Sequence, residues 1–378
     1  MIGRSVAGSF ARAIIGIFSV GILVACASVE KPKPQDLGVN VALLGVKTAW
    51  TNQVGLIEFP LDVRFVGANV FLASSEGTVA AIDSRTGEDV WRTKLDATLA
   101  AGVGTDGRYA VVVSRENEVI ALESGREIWR QKLNALTLTA PLVAGARVFT
   151  LSADRSVVAF DASSGRRLWQ QQRNGDPLVL GQSGLVFAVH DSLVVGMGGR
   201  LIGLNPQNGN VRWDVPIANS RGTNEIERLV DLVSGVSRVG DEACVRAFQA
   251  SIACADVVKG VLLWSKAANG STGVGGDGKA VFGSENDGRI NSWRRSDGER
   301  LWTSDRLRFR KLTAPVLAGR ALVVGDETGV LHFLSSDDGA PLNRISTDST
   351  AIAAAPVLVG QTLVAVTRRG GVFGFRPE

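Results

Sequence analysis

The cysteines and histidines decide which chemistry this 378-residue chain could perform, and they are few. There are three cysteines (Cys26, Cys244 and Cys254) and two histidines (His190 and His332). Two histidines are too few for a His-based metal site, and the sequence has no Asp-rich metal loop. It also lacks Gly-x-Ser-x-Gly and the phosphate-loop pattern Gly-x-x-x-x-Gly-Lys-Ser/Thr. His332 lies in an apolar strand-like run and His190 in a turn. These residues predict a protein with no catalytic site, metal or cofactor.

Two of the cysteines are placed for a structural role. Cys244 and Cys254 lie at equal distances from Gln249, where two strands are predicted to turn. Directly opposed residues of an antiparallel pair have Cβ atoms about 4.5–5.5 Å apart. In an oxidising compartment we therefore predict a disulfide. Two buried free thiols remain the alternative. A catalytic pair is disfavoured because the spacing is not Cys-x-x-Cys and no histidine is near in sequence.

The third cysteine follows a targeting segment. The apolar run from residue 13 to residue 25 is too short to span a bilayer and is typical of a signal peptide. It ends Leu-Val-Ala-Cys, which resembles the bacterial lipobox, where Cys26 would carry diacylglycerol after cleavage. We predict a signal peptide at 1–25 and a lipidated tether at 26–39. An ordinary signal peptide with a chance cysteine is the alternative.

The residue after the lipobox cysteine bears on localisation. It is Ala27 rather than Asp, which resembles the pattern of lipoproteins sent to the outer membrane. We therefore predict an outer-membrane lipoprotein that faces the periplasm.

The two histidines, Cys244 and Cys254 lie within a part of the chain that is built from a repeated segment. Seven segments read Gly-x-x-x-Trp or a close relative, and an eighth ending, Trp50, lies one period upstream without the glycine. The period of about 40 residues is the length of one four-stranded propeller blade. We predict that the Trp side chains fill the gaps between blades rather than bind a cofactor. The segments are Gly87–Trp91, Gly125–Trp129, Gly165–Trp169, Gly209–Trp213, Gly260–Trp264, Gly298–Trp302 and Gly339–Asn343, where Asn replaces Trp.

The two ends of the chain complete one blade between them. Val41–Trp50 predicts a lone last strand, and the C-terminal residues supply three more strand-like runs. A ring closed by the N-terminal strand has no long exposed sheet edges. We therefore predict an all-β fold: an eight-bladed β-propeller of four-stranded antiparallel blades over residues 40–378. The three C-terminal runs are Ala353–Val357, Leu363–Val366 and Val372–Phe375.

Charge excludes one class of partner. The formal net charge of +4 falls to +2 when Arg4 and Arg12 are removed with the signal peptide (4 − 2 = 2). The chain has no cluster of Lys and Arg with interleaved aromatic residues. Nucleic acid is therefore not an expected partner.

The blade endings resemble a known repeat. Segments such as 81–91 and 159–169 read Ala-x-Asp-x-x-Thr/Ser-Gly-x-x-x-Trp. This is similar to the repeat of the quinoprotein alcohol dehydrogenases and of the BamB family of outer-membrane protein assembly factors. The dehydrogenases are longer and carry adjacent cysteines and acidic calcium ligands, and this chain has no adjacent cysteines. The resemblance to BamB covers essentially the whole chain, including the lipobox, Asn224–Asp231 and the ending Gly370–Pro377.

That resemblance implies a non-enzymatic scaffold. The family binds the periplasmic POTRA domains of BamA and assists the folding and insertion of outer-membrane β-barrel proteins. Unfolded outer-membrane proteins are a further implied partner. Two rival classes remain: a shortened quinoprotein dehydrogenase, and a periplasmic ligand-binding propeller.

The resemblance also implies binding residues in two loops. One loop is matched by Leu178 and Leu180, an apolar anchor, and the other by Arg228 and Asp231, where Asp231 would pair with a basic group of the partner. The alternatives are strand residues that point into the core for the leucines, and a solvated loop carboxylate for Asp231.

Two positions depart from the family pattern. Gly181 replaces an Arg and Val233 replaces an Asp, so both departures fall beside the implied binding residues. The 51-residue step from Trp213 to Trp264 is the longest in the chain, and its extra length coincides with the second loop. Long loops on a rigid scaffold are where binding concentrates.

Overall fold

The computed structural model describes residues 32–173, 180–218 and 230–378. Residues 34–378 form one compact unit, and of the separate unit at residues 1–33 only Pro32 and Lys33 are described. The predicted signal peptide at 1–25 and the predicted lipidation site Cys26 lie outside the described residues. Within the described ranges every regular element is a strand, and no helix there has the length and apolar character to cross a membrane.

In the described residues thirty-two strands form eight four-stranded antiparallel sheets, so the predicted all-β propeller with eight blades is confirmed. Strand β1 (Val46–Gln53) precedes blade 1 and belongs to blade 8. Blade 1 consists of β2 (Arg64–Val66), β3 (Asn69–Ala73), β4 (Thr78–Asp83) and β5 (Asp89–Lys94), and blade 2 of β6 (Leu99–Thr105), β7 (Tyr109–Ser114), β8 (Glu118–Glu123) and β9 (Arg126–Lys132). Blade 3 consists of β10 (Leu142–Ala144), β11 (Arg147–Leu151), β12 (Ser156–Asp161) and β13 (Arg167–Gln172). Blade 4 consists of β14 (Val186–Val189), β15 (Ser192–Met197), β16 (Arg200–Leu204) and β17 (Val211–Pro216).

Blades 5 to 8 repeat the same order, with the first strand innermost and the fourth outermost. Blade 5 consists of β18 (Ser237–Val239), β19 (Glu242–Ala247), β20 (Ser251–Asp256) and β21 (Val261–Ala267), and blade 6 of β22 (Val274–Gly276), β23 (Ala280–Ser284), β24 (Ile290–Arg294) and β25 (Arg300–Ser304). Blade 7 consists of β26 (Val316–Ala318), β27 (Ala321–Gly325), β28 (Val330–Ser335) and β29 (Pro341–Ser346). Blade 8 consists of β30 (Val357–Val359), β31 (Thr362–Val366), β32 (Gly371–Pro377) and β1.

The ring closes as predicted, through the two ends of the chain. Strand β1 pairs antiparallel with β32, from Val46 opposite Pro377 to Gln53 opposite Gly371. The predicted bounds of this strand, Val41–Trp50, were wrong. Residues 41–44 lie instead beside the outermost strand of blade 7, where the Leu43 amide donates to the Leu342 carbonyl over 2.7 Å.

The innermost strand of blade 8 also differs from the prediction. It is β30 (Val357–Val359), directly after Pro356, and not Ala353–Val357. The preceding residues form a connection in which the Ile352 amide donates to the Asp326 carbonyl of blade 7. The Ala353 amide donates to the Val366 carbonyl of β31 over 2.8 Å, so this connection bonds to both blades without extending β30.

The repeated glycine and tryptophan form one contact that joins successive blades. Each glycine has a φ between +67° and +80°, which disfavours any side chain. A Cβ on it would lie within 3.1 Å of the Trp side chain of the preceding blade. The predicted role of the Trp residues in filling the gaps between blades is thus confirmed. The pairs are Trp50 on Gly87, Trp91 on Gly125, Trp129 on Gly165, Trp169 on Gly209, Trp213 on Gly260, Trp264 on Gly298 and Trp302 on Gly339.

The structure explains why the last repeat ends in Asn343. Where several Trp residues donate an indole N–H to a carbonyl of the next blade, as Trp129 does to Ala162 over 2.8 Å, Asn343 uses its side-chain amide. That amide donates to the Leu44 carbonyl over 2.6 Å and accepts from Asn40 over 2.9 Å. Asn343 therefore binds the N-terminal segment, which stands where the other blades have a turn.

The interface of blades 5 and 6 contains an unusual set of buried groups. Cys244 and Cys254 lie opposite each other in β19 and β20, are joined by a disulfide and have Cα atoms 4.0 Å apart. The buried guanidinium of Arg295, from blade 6, donates to the Cys244 Sγ over 3.2 Å. Beside them Arg246 is fully buried and pairs with Glu285 over 3.2 Å. This interface is therefore held by polar bonds as well as by apolar contacts, and the disulfide joins two strands within blade 5.

The disulfide gives a prediction about stability. Replacing both Cys244 and Cys254 by Ala lowers the free energy of unfolding by about 2–3 kcal/mol, because the short cross-linked loop no longer restricts the unfolded chain. Urea denaturation of the variant and the parent measures the difference. A thiol assay on the unfolded, unreduced parent serves as the control. Two free thiols there would contradict the disulfide and support the alternative of buried thiols.

Candidate partner-binding site

One face of the ring carries the candidate site. In an antiparallel blade the connection to the next blade and the turn between the second and third strands lie at the same end. We call the face formed by these ends the upper face. The candidate residues lie on its connections at 173–185, between blades 3 and 4, and at 217–236, between blades 4 and 5. The described parts are 173 and 180–185 of the first connection, and 217–218 and 230–236 of the second.

These two connections are bonded to each other. Gly184 and Val233 form an antiparallel bridge, and the Ser234 amide donates to the Ser183 carbonyl over 2.9 Å. The Gly184 amide also donates to the Thr139 hydroxyl, over 2.9 Å, on the connection between blades 2 and 3. The fold therefore brings together the two loops that carry Leu180 and Asp231, although these residues are 51 positions apart in sequence (231 − 180 = 51).

Asp231 is the residue that fixes this arrangement. Its half-buried carboxylate accepts the Gly198 amide over 2.8 Å and also interacts with the backbone of Leu180. Burial raises the pKa of this carboxyl, while these two backbone interactions and the charge of Arg155 act in the opposite direction. The carboxylate thus connects both loops to the turn between β15 and β16.

Leu180 lines a small, mostly apolar cavity. It is half-buried and lines a space of about 60 Å³ together with Leu138, Leu151 and Met197. An apolar side chain held in this way on a rigid scaffold suits an interface anchor. The site can therefore offer an apolar contact whose position is fixed by hydrogen bonds.

The two departures from the family pattern have different structural consequences. Gly181 is exposed and has no atom within 4 Å of where a Cβ would lie, so a side chain there would project into open space. Val233 is only 2% exposed and forms the bridge to Gly184. A side chain at position 233 points inward and cannot reach a partner.

Two of the implied binding residues, Leu178 and Arg228, lie outside the described residues. Sequence reasoning missed two others that shape the site. Arg155, in the turn between β11 and β12, acts on Asp231 by its charge, and Gly198 donates to Asp231 from another turn. No local pattern marks either residue, because each contact joins elements that are distant in sequence.

A wider funnel opens beside the site at the centre of the upper face. Its volume is about 550 Å³, and small residues such as Ser183, Ser234 and Gly273 line much of it. Asp62 pairs with Arg64 over 2.7 Å, and Arg368 donates to the Ile57 carbonyl over 3.1 Å. In the ranges that the structure describes, no group of three His, Cys, Asp or Glu residues could hold a metal ion. The charged groups of the funnel thus bond to the protein itself.

The two histidines have separate surroundings. His332 is buried, and its Nε2 lies 2.9 Å from Asp326, which also pairs with Arg310 over 3.2 Å. Burial favours the neutral form of Asp326, but hydrogen bonds from His332 and the following turn outweigh it and hold the pKa of this carboxyl well below its usual range. His190 is exposed at a turn and lies 2.8 Å from Asp241. Both histidines therefore have nearby carboxylate partners that account for them structurally.

Comparison with solved structures shows the class of propeller to which this architecture belongs. The quinohemoprotein alcohol dehydrogenase of Comamonas testosteroni superimposes with a TM-score of 0.67 at 14% identity, covering 90% of this chain and 78% of the dehydrogenase. BamB from Moraxella catarrhalis superimposes with a TM-score of 0.80 at 23% identity, covering 88% of this chain and 99% of that protein. At these identities the likeness concerns the fold alone. The chain is thus an eight-bladed propeller of the class found in both proteins.

Sequence comparison identifies the family within this class. A family model described as outer membrane protein assembly factor BamB matches residues 75–304. The outer membrane protein assembly factor BamB of Burkholderia pseudomallei is 36% identical over 366 residues, which cover 95% of this chain and 96% of the relative. The BamB of Alkalilimnicola ehrlichii is 33% identical and covers 97% of each chain. The chain belongs to the BamB family of outer membrane protein assembly factors.

Proposed function

We propose that this chain is a non-catalytic assembly factor that binds the periplasmic POTRA domains of BamA through the joined loops of its upper face. A lipid on Cys26 holds it at the outer membrane, facing the periplasm. Membership of the family supports the assembly role, and in the described residues the funnel contains no metal-ligand set. Unfolded outer-membrane proteins are the further substrate of the complex in this proposal.

The observation that carries the proposal is the carboxylate of Asp231. It accepts the Gly198 amide over 2.8 Å and interacts with the backbone of Leu180, so it can hold the apolar anchor in place. Sequence reasoning gave Asp231 a different task, pairing with a basic group of the partner. In the proposal it is a positioning residue instead, because its half-buried carboxylate accepts the Gly198 amide within the protein. Leu180 then makes the contact with the partner.

Replacing Leu180 by Asp tests the anchor. We expect the Kd for the BamA POTRA domains to rise at least about thirtyfold, since truncated interface anchors cost 2 kcal/mol or more. Isothermal titration measures it. Leu56→Asp is the matched control, because Leu56 is a 40% exposed leucine on another interblade connection of the upper face. A Kd for Leu180→Asp equal to that of the control would remove Leu180 from the interface.

Replacing Asp231 by Asn separates positioning from charge pairing. Asn keeps the shape and an acceptor oxygen but loses the charge. If Asp231 positions Leu180, the variant keeps most of the affinity, and the salt dependence of binding stays that of the parent. A large loss of affinity together with a weaker salt dependence would show a direct ion pair with the partner instead.

A further inference from the structure

The segment before β1 is an ordered part of the propeller. We call residues 35–44 the strap. The Gln35 amide donates to the Arg308 carbonyl over 3.0 Å, and Arg344 donates to the Leu37 carbonyl over 2.9 Å. With the bond from Leu43 to Leu342, these contacts fix the strap along the outermost strand of blade 7, β29. The strap overlaps the segment predicted as a tether at 26–39, and part of that segment is therefore bonded to the propeller.

The strap exposes apolar side chains to solvent. Val39 is 91% exposed, Leu43 75% and Val41 49%, and the first two are the most exposed large aliphatic side chains of the described residues. Leu37 and Leu44, in contrast, pack against apolar clusters of the propeller. The strap thus has an inner side that holds it to blade 7 and an outer side that remains unpartnered.

Exposed aliphatic side chains are grouped in the strap, as they also are at Val261–Leu263 on the outermost strand of blade 5. Residues 37–44 of the strap contain no charged side chain, and Asp36 near its start is exposed. By contrast, Val90 and Val211 lie on outermost strands next to the charged residues Asp89 and Arg212. Isolated exposed aliphatic residues are ordinary, but several grouped on one uncharged segment indicate a contact surface.

The course of the chain indicates what this surface contacts. Nine residues separate Gln35 from Cys26 (35 − 26 = 9), and nine extended residues span at most about 32 Å. A lipid on Cys26 would therefore keep the upper end of the strap close to the bilayer and give it a high effective concentration there. An aliphatic, uncharged surface suits the interfacial region of a bilayer.

We propose that the strap is a membrane contact in which Val39, Val41 and Leu43 enter the interface of the bilayer that holds the anchor. This inference rests on the proposed lipid anchor. In this arrangement blade 7 faces the membrane. Blade 3 lies across an eight-bladed ring from blade 7, so the loops around Leu180 remain open to the periplasm and to a partner.

Site-directed spin labelling of the full-length lipidated protein in phospholipid vesicles tests the inference. A label at Leu43→Cys is specific, because Cys244 and Cys254 form a disulfide and the proposed lipid blocks Cys26. We expect the ratio of oxygen accessibility to nickel-chelate accessibility to be several-fold higher there than at the control Val211→Cys. Val211 is 46% exposed on the outermost strand of blade 4, opposite blade 8 in the ring.

Each other outcome overturns the inference in a distinguishable way. Equal accessibility ratios at positions 43 and 211 in protein that floats with the vesicles would leave the anchor in place and remove the membrane contact. Spin–spin broadening at position 43 would show that a second copy of the chain covers the strap. Protein that does not float would overturn both the anchor and the contact. The Kd for the POTRA domains, measured on Val39→Ser/Val41→Ser/Leu43→Ser, tests the partner site separately and should match the parent.

Discussion

Replacing Glu285 by Gln lowers the free energy of unfolding by about 3–5 kcal/mol, because it leaves a buried guanidinium without its counter-charge. Arg246 is fully buried, and both of its terminal nitrogens lie 3.2–3.3 Å from Glu285. Gly270 and Gly283 lie so close to this guanidinium that a Cβ on either would collide with it. Urea denaturation followed by circular dichroism measures the change in the free energy of unfolding.

An exposed ion pair supplies the matched control. The side chains of Arg320 and Asp337 are 88% and 66% exposed, and exposed pairs contribute about 0–1 kcal/mol. Asp337→Asn should therefore cost less than about 1 kcal/mol. Arg246→Met combined with Glu285→Leu should recover most of the loss, since it removes both buried charges. A cost for Glu285→Gln no larger than that for Asp337→Asn would contradict the importance of burial.

The buried pair also supports the candidate site. The Val233 amide donates to the carbonyl of Arg246 over 3.1 Å, and Leu232 bridges to Ala247. The strand that carries Arg246 therefore holds the same loop that carries Asp231. We infer that the interface of blades 5 and 6 acts as a rigid support for the partner-binding loops.

The architecture could be predicted from the sequence because its signals are local and repeated. The glycine needs a positive φ and the Trp needs a neighbouring surface, and both recur at the period of a blade. The Cys244–Cys254 pair was predictable for a similar reason, since both residues belong to one hairpin. Closure of the ring followed from counting the strands at the two ends.

Contacts between distant elements could not be predicted in this way. Arg246 and Glu285 are 39 residues apart, and neither pattern nor composition distinguishes this pair from exposed charges. The role of Asp231 depends on its interactions with the backbones of Leu180 and Gly198. The strap was misread as tether and strand because its hydrogen bonds go to blade 7, which is about 300 residues later in sequence. In each case the deciding partner lies on another blade.

Replacing Gly165 by Ala should lower the free energy of unfolding by about 2–5 kcal/mol. A left-handed backbone costs a residue with a Cβ about 1–2 kcal/mol, and overpacking adds about 1–3 kcal/mol. The φ of Gly165 is +70°, and a Cβ there would lie 2.7 Å from the Trp129 ring. The ring cannot move away easily, because its indole N–H donates to the Ala162 carbonyl over 2.8 Å.

A substitution at Gly145, in the same blade, allows the backbone cost to be measured apart from the overpacking cost. Its φ is +57°, but nothing lies within 4 Å of a Cβ built on it, so Gly145→Ala meets the backbone cost alone. We expect Gly145→Ala to cost only about 1–2 kcal/mol. The difference between the two variants, measured by urea denaturation, then reports the contact between the glycine and the Trp ring. Equal costs would mean that this contact contributes nothing to stability, and the repeated Gly-x-x-x-Trp would need another explanation.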